Sequence, residues 1–225
     1  MELLTRWSGA QSGGPGRPFV TYYDLETGER TELSGTTTAN WVAKTANLLV
    51  DELDAEPGTR IDIALPTHWL RTVWILATWA VGGTIVDSAG DVFVAGPDTL
   101  ASPSPARRRA ASALLPFGTP FRTPPADAID LGSALPAQPD EFFPSDQPTD
   151  DTRAVELANT TLTYGDLAAG APPSADRILL TVGTLARDVT VTLAALLGGG
   201  SIVLVRGGSD ADLELLAGQE QALLS

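Results

Sequence analysis

The chain has 225 residues, a formal net charge of −14, 43% hydrophobic and 19% charged residues, no cysteine, one histidine (His68) and one lysine (Lys44) against 13 arginines. Without cysteine there is no disulfide, thiol nucleophile or Cys-ligated zinc, and a single histidine excludes a multi-His metal site. So acidic a chain is a poor match for nucleic acid or an anionic membrane, and its length and composition suit a folded domain with its own core.

The opening residues MELLTRWSGAQSGG place Glu2 beside the start and lack an apolar core, so they do not read as a signal peptide. The uncharged stretches 72–86 and 189–205 are broken by Gly82-Gly83 and Gly198-Gly199-Gly200 and are shorter than a membrane span. The expected location is cytoplasmic.

FVTYYD (19–24), a turn at Glu26-Thr27-Gly28 and a second short run at 30–33 predict a hairpin. Ser34 to Thr38 offer N-caps for a helix reaching about Leu53, with Val42, Ala46, Leu49 and Leu53 on one face. Pro57-Gly58 ends it, and RIDIAL (60–65) reads as a strand. Pro66-Thr67 opens an apolar helix through Val81, Gly82-Gly83 closes it, and TIVD (84–87) and DVFV (91–94) return as strands.

Residues 97–150 hold 11 of the 17 prolines and read as an irregular connection, with one helix near 104–114 carrying Arg107-Arg108-Arg109. Ala154–Leu157 and Thr161–Thr163 then predict a second hairpin, and Tyr164–Ala171 a short helix. RILLTV (177–182) reads as a strand, Thr184–Leu197 as a helix, SIVLV (201–205) as a buried parallel strand and Asp210–Leu224 as a last helix. The expected organisation is an α/β unit over 1–96, the proline-rich connection over 97–150 and an α/β unit over 151–225, packed as one domain.

The halves repeat each other. Laid without gaps on 176–203, residues 59–86 match at Arg60, Ile61, Thr67, Leu76, Ala77, Gly82, Gly83, Ile85 and Val86. The shared order of strand, threonine-opened helix, glycine turn and strand predicts two right-handed βαβ units in mostly parallel sheet, a layered α/β fold.

Residues 19–86, with their opening hairpin, the helix ending Ala46-Asn47-Leu48-Leu49, Pro57-Gly58-Thr59-Arg60-Ile61 before a strand, Leu65-Pro66 opening an apolar helix and Gly82-Gly83 before the next strand, resemble the start of the acyl-adenylate-forming enzymes, the superfamily of AMP-binding acyl-CoA synthetases. Residues 175–205 resemble the strand-helix-strand that follows the nucleotide loop of those enzymes. The chain is also similar to a short actinobacterial family distantly related to them, and its high alanine and arginine with scarce lysine fit a GC-rich genome. The resemblance implies part of the large N-terminal domain of such enzymes. It also implies that a Ser-Gly-Thr-Thr-Gly-x-Pro-Lys-Gly type phosphate loop would fall at Ala154–Tyr164, where the glycines, proline and lysine are absent. The later motifs of the superfamily and its lysine-bearing lid would fall past residue 225. Ser34-Gly35-Thr36-Thr37-Thr38 imitates the start of such a loop, but it opens a helix and reads as cap chemistry.

Ligands of doubly wound sheets bind past the carboxyl ends of the strands. Those positions here are Thr67, His68, Gly183 and Thr184, with Asp87 at a third strand end. Thr67 and Thr184 are equivalent in the repeat and either hold an anion with hydroxyls and helix N–H groups or cap their helices. His68 is a base, a ligand contact or a surface or capped residue. Asp62 is either a buried carboxylate or a partner of Arg60, and Lys44 is expected to be solvated. No catalytic residue, cofactor or metal is expected. The reading is a non-catalytic relative of adenylate-forming enzymes that binds a small molecule or a protein, possessing no adenylation activity and open to homo-oligomer formation. The alternatives are an enzyme of altered acyl or nucleotide chemistry and a structural interaction protein.

Overall fold

The computed structural model describes residues 16–170 and 172–225. The opening segment weighed above as a leader lies outside them, as does Ala171. Among the described residues no helix is long and apolar enough to cross a membrane.

The chain divides into two compact units, one built from residues up to Ala39, Pro66–Thr72 and Ala168–Ser225, the other from Asn40–Leu65 and Val73–Leu167. Each contains one sheet.

In the first unit, β1 (Pro18–Asp24) and β2 (Glu29–Ser34) form the expected antiparallel hairpin. Gly28 supplies the left-handed turn residue at φ 78°, and Asp24 Oδ1 accepts the N–H groups of Glu26 and Thr27 at 2.9 and 3.2 Å. Ser34 Oγ accepts the Thr37 N–H at 3.1 Å, so the Ser-Gly-Thr-Thr-Thr run caps a helix, α1 (Gly35–Asp51), which continues into the second unit. The second repeat supplies β10 (Arg177–Thr181), α5 (Leu185–Gly198) and β11 (Ser201–Arg206), with β10 and β11 parallel. The helix α6 (Asp210–Glu220) begins with a Ser209–Asp212 capping box. It stops at Glu220 and not near Leu224, because Gln221 turns left-handed at φ 51°, and Leu223–Leu224 make the short strand β12. The sheet order is β12-β10-β11-β1-β2. Leu179, Val203, Val205, Leu216 and Ala217 form a core between the sheet and α6.

The second unit holds a seven-stranded sheet: β3 (Arg60–Ala64), β4 (Thr84–Val86), β5 (Val92–Ala95), β6 (Arg108–Ala111), β7 (Ile129–Asp130), β8 (Arg153–Leu157) and β9 (Thr160–Thr163), in the order β7-β6-β5-β3-β4-β8-β9. All neighbours are parallel except β8 and β9, the second expected hairpin. The first repeat contributes β3 and β4, joined by α2 (Trp69–Ala80), whose first turn belongs to the first unit. The two βαβ units of the sequence thus lie in different sheets.

Residues 97–150 are not merely a connection. They add β6, β7 and the short helix α3 (Leu131–Ala134). The arginine run is strand where a helix was expected. Ala110 and Ala111 are buried against Val94 and Ala95 of β5, so lateral pairing overrides the helix preference of Arg and Ala. Arg108 pairs with Asp54, while Arg109 lies 4.8 Å from the Phe93 ring centroid and donates to the Leu100 carbonyl at 2.8 Å. Lys44 is likewise not free in solvent: it pairs with Asp140 at 3.1 Å and donates to the Gln138 carbonyl. After β9 comes α4 (Tyr164–Ala169), whose Tyr164 hydroxyl donates to the Gly83 carbonyl at 2.8 Å.

Candidate functional site

Four of the five positions singled out in the sequence, Thr67, His68, Gly183 and Thr184, lie in the first unit. Thr67 precedes α2 and is buried. Its Oγ1 accepts the Gly183 N–H at 3.0 Å and donates to Asp188 Oδ2 at 3.0 Å. Arg71, one turn along, points its Nη1 at Asp188 Oδ2 (2.8 Å), Thr67 Oγ1 (3.2 Å) and the Gly183 carbonyl (3.2 Å). Arg71 is 7% and Asp188 4% exposed, so this ion pair is sequestered from water. Burial pushes the Asp188 carboxyl above its ordinary value, while Arg71 and Thr67 pull it back. Asp188 Oδ1 and Arg71 Nε are buried without a hydrogen-bond partner, so the fork is used on one side only.

The capping reading separates the two threonines. Thr184 caps α5, accepting the Arg187 N–H at 3.3 Å. Thr67 does not cap α2, because its hydroxyl is committed to Gly183 and Asp188. That role falls to His68, whose Nδ1 accepts the Leu70 N–H at 3.1 Å. With Nδ1 accepting, the ring proton of the neutral imidazole sits on Nε2, which is buried without a partner. The ring centroid lies 4.4 Å from that of Tyr22 and 5.6 Å from that of Trp69. Burial, with a smaller effect from Arg206 set against Asp24, pushes His68 down to about 3. An imidazole that is 2% exposed, neutral and already accepting a backbone N–H is a weak candidate for a general base at neutral pH.

Asp87 lies in the second unit, just past β4, where its Oδ2 accepts the Ala158 N–H at 3.2 Å and pins the turn between β8 and β9. The register pairs Leu157 with Thr160, so that turn consists of Ala158 and Asn159. Asp62, on β3, is buried and does not pair with Arg60, which meets Glu156 at 2.8 Å. Burial, then Asp87, pushes the Asp62 carboxyl up.

Arg71 and Asp188 are absent from the sequence-derived set. A signal was present: the repeat places Arg71 on Asp188, each four residues past its threonine, Thr67 or Thr184, with opposite charges at the two positions.

Together, the two largely parallel sheets, the duplicated βαβ unit and the threonines at equivalent strand ends define an α/β fold of the kind found in the N-terminal domains of adenylate-forming enzymes. An acyl-CoA synthetase of Brucella canis superposes with a TM-score of 0.77 at 17% identity, over 97% of this chain and 46% of its own. Acetoacetyl-CoA synthetase of Streptomyces lividans gives 0.74 at 20% identity, over 96% and 41%. The N-terminal domain of FACL13 from Mycobacterium tuberculosis gives 0.69 at 13% identity, over 98% and 61%. The chain therefore spans about half the length of the synthetases it matches. No protein-family model matches it. It is 37% identical over 213 residues to a "TIGR03089 family protein" of Mycobacterium tuberculosis (strain H37Rv), covering 89% of this chain and 87% of that protein. The chain belongs to that family.

Proposed function

We propose that this chain is a non-catalytic relative of adenylate-forming enzymes, a binding or regulatory module that keeps the N-terminal scaffold without a phosphate-gripping loop. The observation that carries the reading is the β8–β9 turn. An adenylating site needs backbone N–H groups in an open glycine-rich loop, hydroxyls and a lysine to hold a triphosphate. The resemblance puts that loop between these strands, and here they are closed by Ala158 and Asn159 alone, with Asp87 on the Ala158 N–H. A carboxylate beside the turn adds repulsion to the loss of the cradle. The committed hydrogen bonds of Thr67 and the neutral state of His68 agree with a site that binds rather than reacts.

In this reading a ligand meets the first unit at the partly exposed Gly183 and the exposed Thr184, with buried Thr67 bonded to Gly183; Asp87 serves the turn of the other unit. Calorimetric titration of the full chain with MgATP, AMP, CoA and a non-hydrolysable acyl-adenylate, alongside pyrophosphate exchange, tests the reading. No MgATP binding and no exchange are expected. MgATP binding with exchange overturns it.

A further inference from the structure

One stripe of α1 carries Trp41, Lys44 and Asn47 at three-residue spacing, and each is met by chain from the 97–150 region. Gly118 lies against the Trp41 indole so closely that a Cβ there would collide with the ring. Lys44 holds Gln138 and Asp140. Asn47 Nδ2 donates to the carbonyls of Pro139 at 3.2 Å and Glu141 at 2.9 Å. Two short stretches of backbone are thereby fastened to a single helix stripe.

Immediately beside each fastening stands a phenylalanine in water: Phe117 is 83% exposed and Phe143 80% exposed. Phe117 is also left-handed, at φ 58°, a conformation that is unfavourable for a non-glycine residue. Burying such a side chain is favourable, a gain the isolated chain forgoes twice. Around Phe143 the exposed charge is acidic, with Glu141, Asp146, Asp150 and Asp151 all in water, while Lys44 is held by Asp140 and the charged neighbour of Phe117 in sequence is Arg122. Between Arg122 and Arg153 the sequence contains Asp127, Asp130, Asp140, Glu141, Asp146, Asp150 and Asp151 and no basic residue.

We infer that this surface docks a protein partner that receives Phe117 and Phe143 in apolar pockets set among lysines and arginines. Charge selects that occupant. Two copies of a chain of net charge −14 repel, as do nucleic acid and an anionic lipid surface, whereas a basic protein is attracted and steered. Aromatic side chains are the usual energetic anchors of an interface, and a backbone already fastened loses little freedom on binding. These residues belong to the second unit and share none with the Thr67–Asp188 cluster, so the inference holds whatever that cluster binds.

The test replaces Phe143, Phe117 or, as a control, the exposed Leu215 of α6 with the photo-crosslinker p-benzoylphenylalanine. The full chain is then irradiated in its own cells. Positions 143 and 117 are expected to attach to the same protein, at peptides rich in lysine and arginine, and position 215 is not. The combined substitution E141Q/D146N/D150N is expected to cut the yield at least tenfold, as is lysis into ~0.5 M salt before irradiation. Phe143→Ser and Phe117→Ser, measured by thermal unfolding, are expected to keep the parent's cooperative transition. The inference is overturned by no adduct at either position, by adducts to lipid or to a second copy of this chain, by the same adduct from position 215, or by a yield indifferent to charge.

Discussion

Arg71 and Asp188 occupy matching positions of an internal duplication and pair with each other at 2.8 Å, buried and joined by Thr67. A repeat that carried the same charge at both positions would place like charges in one buried site. Opposite charges at the two positions instead make a link between the start of α2 and the first turn of α5. Removing one partner strands the other in low dielectric. Asp188→Ala is therefore expected to destabilise the protein by about 3–5 kcal/mol, and the apolar double variant Arg71→Met/Asp188→Leu by clearly less. Urea unfolding of the single and double variants measures the difference. Equal losses would mean the charges are not coupled.

His68 sets a pH dependence of stability. Its folded-state pKa is depressed to about 3 from an ordinary 6.5, so below 6.5 the unfolded chain takes up a proton that the native state refuses. This contribution is intact above pH 6.5 and is lost progressively as pH falls towards 3, by several kcal/mol. His68→Asn keeps a capping acceptor and removes the titration. Over pH 7 to 4 the wild type is expected to lose stability faster than this variant, and parallel urea midpoints would refute the assignment.

Gly82 and Gly199, also equivalent in the repeat, are both left-handed, at φ 76° and 69°, and each follows the helix of its βαβ unit. Gly199→Ala is expected to cost about 1–2 kcal/mol for the left-handed backbone alone. Gly82→Ala is expected to cost more, because its new methyl would also come within 3.2 Å of Pro57 and Pro148. Thermal melts of the two variants decide the order.

Tyr164 is buried, and its hydroxyl donates to the Gly83 carbonyl beside that turn; burial raises its pKa well above the ordinary phenol value. Tyr164→Phe leaves the carbonyl under-satisfied and is expected to cost about 1–2 kcal/mol, without a change in the stability profile between pH 6 and 9. A loss confined to alkaline pH would contradict it.

Much of the fold is legible in the sequence because its signals are local. Thr27-Gly28 between two β-rich runs marks the first hairpin, and Gly82-Gly83 and Gly199-Gly200 mark the helix ends. What is hidden is lateral. Nothing near Arg108 says that a run of Arg and Ala will pair with Val92–Ala95, since that outcome depends on a neighbouring strand and not on periodicity. Lys44 looks solvated until the 138–141 segment, about ninety residues away, returns to it and to Asn47. In the candidate site, Thr67 and His68 are legible by their place at a strand end, but the capping role expected of Thr67 falls to His68. The deciding groups, Asp188 and the Leu70 N–H, become visible only once the helices are placed.

The pairing of β1 with β11, Val20 beside Ile202, has a consequence for how the protein comes into being. A nascent chain leaving the ribosome exposes the β1–β2 hairpin long before its parallel neighbour is synthesised. Until then the inner edge of β1, with buried-to-be Phe19, Val20 and Tyr22, offers unpaired backbone to any other strand. Maturation of the first unit therefore waits on its late segment, Ala168–Ser225, and chaperone demand should concentrate in that interval.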